Sequence, residues 1–168
     1  MVIAILAAIS IVAYNSIQDR AAQTQTVAAL SNYVKAISAY AVDNGTYPAF
    51  QNACLGGANN PNNRCFQVSD GVSSCTGYGP AYGKPAFDAT LRPYLGNALP
   101  TPSPKSYNCG GAQYAGGLYY SPNTKSAVLY VFMKASLGAC PLVGGATVVI
   151  TNAQDEVIVC KYSLPALP

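Results

Sequence analysis

The sequence predicts an α+β fold: a long N-terminal α-helix packed on a four-stranded antiparallel β-sheet, with a disulfide-stapled loop region between them. Three observations carry this expectation. Residues 1–44 contain neither Gly nor Pro, and their second half has an apolar stripe of helical spacing. The last third of the chain holds apolar, β-branched and tyrosine-rich runs separated by turn residues. Cysteines lie at 54, 65, 75, 109, 140 and 160, all beyond the helix. The expected division is a protruding apolar helix over 1–24 and a globular part over 25–168. Within the latter, helix occupies 25–44, loops 45–110 and the sheet 111–168.

The helix is greasy at its start. From Met1 to Tyr14 only Ser10 is polar. Val27, Leu30, Val34, Ile37 and Ala41 then recur three and four apart, so they share one face. Tyr33 and Tyr40 flank that face, which is expected to pack on the chain's own sheet. A helix over residues 1–44 would be about 65 Å long, more than a domain of this size can bury. Its apolar beginning is therefore expected in a membrane or against other copies of the chain. The neutral run is short of the ~20 residues of a full span. A signal peptide would show a basic start and a cleavage site, and neither is present. The run is thus read as the later part of a membrane span. Val2, Ile3, Ile5, Leu6, Ile9, Ile11 and Tyr14 are the candidate assembly residues. The β-branched Ile9, Ile11 and Val12 lower helix propensity by tenths of a kcal/mol each, so the helix is expected to loosen there on assembly.

The run ILAAISIVAYNSIQDRA, followed by a long amphipathic helix and DNGTYP at Asp43–Pro48, resembles the type IV pilins and pseudopilins. The resemblance covers about the first 48 residues. It implies a structural subunit, the major pilin, of a helical cell-surface filament built by parallel packing of apolar N-terminal helices. It also implies residence in the inner membrane before assembly, and the pilus assembly machinery as partner. Two alternatives accompany it: a minor pilin or secretion-system pseudopilin, and a membrane-anchored surface adhesin. The family begins with a basic leader, then an aromatic residue and a glutamate. None of these is in this sequence, so Met1 aligns inside the family's hydrophobic segment and the chain reads as truncated. Val12 stands where many members have a proline.

Asn44–Gly45 is a helix stop, since Gly takes the left-handed conformation that closes a helix. Pro48 prevents resumption. Residues 49–84 are rich in Gly, Asn, Ser and Pro, so no packed element is expected there. In the resembling family this position carries a variable loop. Phe87–Gly96 reads as a short helix with Asp88 as N-cap and Gly96 as stop.

Ala112–Tyr120 and Ser126–Lys134 read as a hairpin turning at Ser121–Lys125. In the second strand Leu129, Val131 and Met133 share one face and Val128, Tyr130 and Phe132 the other. Both sets are apolar, which predicts a central strand covered by the helix on one side and by loops or a neighbouring subunit on the other. Thr147–Thr151 and Glu156–Tyr162 complete the sheet, with a turn at Asn152–Asp155. Cys140 precedes this last hairpin and Cys160 ends it, so they are expected to bond. The pilin resemblance implies the same. Cys54–Cys65 and Cys75–Cys109 are the remaining expected pairs, although sequence does not choose among connectivities.

No active site is legible. The chain has no His, which removes the usual general base and the commonest metal ligand. Charged residues are 9% of the chain, and the net charge of +3 is scattered, with no basic cluster to track a phosphate backbone. Asp155 and Glu156 adjoin but would point to opposite faces of a strand. They are read as a solvated turn in preference to a calcium site with Asn152. No enzyme activity, cofactor, metal or nucleic-acid partner is expected.

Overall fold

The computed structural model describes the backbone of residues 2–57, 64–67, 81–96, 98–109 and 112–168. Helix α1 runs unbroken over Val2–Asn44, through the β-branched cluster. It stops where Gly45, at φ 69°, bonds its N–H to the Ala41 carbonyl at 2.9 Å. Strands β1 (Ala53–Cys54), β2 (Arg64–Gln67) and β3 (Ala81–Tyr82) follow. Helix α2 covers Pro85–Leu95, and β4 covers Ser106–Cys109. Then come β5 (Ala112–Ala115), β6 (Gly117–Asn123), β7 (Ser126–Lys134), β8 (Thr147–Gln154) and β9 (Val157–Ser163).

The protein is α+β with a long N-terminal helix, but the sheet is larger than a four-stranded antiparallel one. Among the described residues nine strands are hydrogen-bonded in the order β4-β5-β2-β3-β1-β6-β7-β9-β8. The sheet is mixed, because β1 and β3 pair parallel. The four strands expected from sequence lie in its β6-β7-β9-β8 end plus β5. The expected Ala112–Tyr120 strand is divided at Gly116, whose φ of 63° turns the chain between β5 and β6. The region expected to hold no packed element instead supplies β1, β2 and β3. They are too short to show periodicity and exist because their backbones pair with distant strands.

Element ends also moved. The hairpin strand β6 continues to Asn123, and the turn falls at Thr124–Lys125. The last turn is Asp155–Glu156, with Asp155 at φ 53°. Helix α2 begins at Pro85, a favoured first position. Asp88 lies inside its first turn, and the N-cap is Lys84, which makes no side-chain capping bond.

Two cores lie on opposite faces of β7. On one, Leu30, Tyr33, Val34 and Ile37 of α1 pack with Leu129, Val131, Met133, Ile158 and Tyr162, and with Phe87 and Leu91 of α2. On the other, Tyr130, Phe132, Val157 and Val159 pack with Leu118, Cys65, Tyr107 and Tyr114. Among the described residues the second face of β7 is therefore covered by the chain's own β2, β4 and β5. Disulfides Cys54–Cys65 and Cys140–Cys160 are formed. Cys109 is also disulfide-bonded, and Cys75, its expected partner, lies outside the described residues.

Candidate functional site

The helix meets the sheet domain at Asp19. Along α1 Tyr14, Asn15, Ser16, Ile17 and Gln18 are exposed, and Asp19 is the first described side chain to be buried. From there Ala22, Thr26, Ala29, Leu30, Tyr33, Val34, Ile37 and Ala41 form a buried face. Their spacing of three and four is the reason this half of the helix lies flat on the sheet.

Asp19 is held by two lysines from different elements. Lys134, at the end of β7, reaches Oδ2 at 2.7 Å. Lys105, just before β4, reaches Oδ1 at 2.5 Å. Burial alone would raise the carboxyl pKa, but the two ammonium groups outweigh it and hold the group below its ordinary value. The same carboxylate pushes the neighbouring Tyr107 phenol up to about 12, after burial as the larger cause. One helix side chain is thus tied to two segments of the sheet region, the approach to β4 and the end of β7. A cleft of about 350 Å³ opens beside this tie, lined by Asn15, Asp19, Arg20, Lys134 and Ser136.

Further along, segment 98–105 is laced to the helix. Gln25 Nε2 donates to the Thr101 carbonyl at 3.1 Å, and Ser103 N–H donates to Thr26 Oγ1 at 3.1 Å. Tyr33 Oη accepts from the Gly56 N–H at 2.8 Å, and burial pushes its phenol up to about 12. On the other flank, a groove of about 440 Å³ lies between Gln23, Val27 and Ala28 of the helix and Leu142 and Val143 of the loop before β8.

Val2, Ile3, Ile5, Leu6, Ile9 and Ile11 lie on the α1 backbone, and their side chains fall outside the described residues. Tyr14 is 62% exposed. Ile17 was missed by the sequence reading. It is 63% exposed, one turn from Tyr14, and its three-residue spacing was the available signal. Nothing in the sequence singles out Asp19. Its partners lie 86 and 115 residues away, and no local pattern announces them.

Among the described residues no helix is long and apolar enough to cross a membrane by itself, in keeping with an apolar run shorter than a full span. The apolar run gives way to Asn15, Asp19 and Arg20 before ~20 residues are reached. Also among the described residues, no group of three His, Cys, Asp or Glu is placed to hold a metal ion. Glu156 Oε2 instead accepts the Asn108 N–H at 3.2 Å. No family model, curated protein or solved structure matches the chain.

Proposed function

We propose that the protein is a structural subunit, the major pilin, of a type IV pilus-like filament, with its apolar helix end held at the inner membrane before assembly. The observation that carries this reading is the helix α1. It is continuous over Val2–Asn44, and among its described side chains, from Tyr14 onward, the first buried one is Asp19. About 26 Å of helix precedes that residue. Its sequence is apolar to Tyr14, and Tyr14, Asn15, Ser16, Ile17 and Gln18 are exposed. In the filament this segment lies against the same segment of neighbouring copies, a heterologous contact that propagates without closing. The sheet domain faces outward, where disulfides are stable. The pilus assembly machinery is the partner that extracts the subunit.

Electron microscopy of filaments sheared from cells producing the protein tests the reading. Filaments composed of this chain are expected, and Ile5→Asp with Leu6→Asp should abolish them while the sheet domain stays folded. Finding the chain only as a dissolved monomer would end the proposal. Finding it only at filament tips would move it to a minor subunit.

A further inference from the structure

Strand β8 ends the sheet, and among the described residues it is paired with β9 alone. An edge strand turns alternate N–H and C=O groups outward and so templates another strand. Natural edges are usually guarded by charges or proline. Thr147–Gln154 has neither. Its guard is one register shift, between Ile150 and Asn152. Val149 and Ile150 are 54% and 50% exposed. Ile150 pairs with Cys160, whose disulfide leads to Leu142, itself 89% exposed.

The opposite edge is built differently. In β4 the Asn108 carbonyl accepts the Glu156 N–H at 3.3 Å, and the Asn108 N–H donates to Glu156 Oε2 at 3.2 Å. The turn between β8 and β9 thereby caps β4. A second copy can offer β4 only by giving up these two bonds to Glu156, whereas β8 carries no such cap among the described residues.

We propose that β8 pairs antiparallel with β8 of a second copy, across a two-fold axis near Val149 and Ile150. An antiparallel strand is its own complement. The same uncharged, β-branched residues meet themselves, with no like charges opposed. The main-chain bonds specify a strand as the occupant, and the apolar run Val148–Ile150 brought opposite itself sets the register. This contact is isologous, whereas the filament contact is heterologous. It therefore joins free subunits or subunits of two filaments, and it stands without the filament reading.

Amide exchange of the full chain, followed by mass spectrometry over residues 147–154 at low and high protein concentration, reads the contact locally. Association through the apolar helix is not restored by pairing Lys with Asp at residue 149, so a mixture of those two variants separates the two contacts. Protection that grows with concentration is expected. Val149→Lys and Val149→Asp should each weaken the pairing by on the order of tenfold, because like charges then face each other. Their equimolar mixture should restore it, and Val149→Thr should keep it. Circular dichroism and an intact Cys140–Cys160 bond establish that the variants fold. Exchange in the unsubstituted chain that ignores concentration would overturn the proposal. So would a mixture that exchanges like its components, or protection that requires a different protein.

Discussion

Replacing Asp19 by Asn tests how the helix is fastened. The substitution keeps size and shape but removes the charge facing Lys134 at 2.7 Å and Lys105 at 2.5 Å. The carboxylate side chain is 5% exposed, while the two lysines are 34% and 36% exposed. An exposed ion pair contributes ~0.2–1 kcal/mol, and breaking a fully buried one costs ~3–5 kcal/mol. Half-solvated ammonium groups place this case between, at ~2 kcal/mol. For a chain of this size that corresponds to a fall in Tm of about 4–8 °C. The pH dependence carries the sign. The folded pKa lies below the ordinary 3.8. The carboxylate's contribution is therefore complete above that value and is lost as pH falls through the folded pKa. Denaturant unfolding at neutral pH should show the deficit, and the two proteins should converge in strong acid. A variant as stable as the unsubstituted protein at neutral pH, or a deficit that persists in acid, would refute the argument. A double-mutant cycle with Lys134→Met should return a coupling of ~1 kcal/mol.

Asp88 should behave oppositely. Burial raises its carboxyl pKa against the lowering effect of Arg92, so its neutral form contributes stability below 3.8 that is lost as pH rises through the folded value. Asp88→Asn is expected to raise the neutral-pH Tm relative to the unsubstituted protein, with the gain vanishing in acid scans. Gly117→Ala would put its Cβ 2.6 Å from the Tyr130 carbonyl oxygen, a backbone atom in the paired strand. Forcing those strands apart should cost ~2–3 kcal/mol, read from the urea midpoint. Removing both Cys140 and Cys160, which close a separation of 20 residues, should lower stability by ~3 kcal/mol in the chain-entropy estimate. Equilibrium unfolding under identical redox conditions checks that value.

The amphipathic half of α1 could be read from residues alone because its packing rule is local. Leu30, Val34 and Ile37 recur on one face regardless of what they touch. The double-apolar pattern of β7 likewise announced a strand covered on both sides, and both covers exist. What covers the second face was not readable. Cys65, Tyr107 and Tyr114 come from strands of four residues each, shorter than any period that sequence can display. Ala53–Cys54 and Ala81–Tyr82 are strands solely because partners lie beside them. Within the site, Tyr14 belonged to a visible apolar run. Asp19 did not look like an anchor, since a lone aspartate on a helix is ordinarily solvated.

The sequence by itself determined the long helix, its apolar beginning, its stop at Asn44–Gly45, the β7 strand with its two apolar faces, and the Cys140–Cys160 staple flanking the last hairpin. These follow from local rules: propensity, periodicity and the backbone freedom of glycine. Only the tertiary structure decided the sheet's width among the described residues, the capping of β4 by Glu156, the place of β8 at its other edge and the tie from Asp19 to Lys105 and Lys134. Each of those joins residues far apart in the chain, and their energies depend on burial and distance that no neighbouring residue encodes.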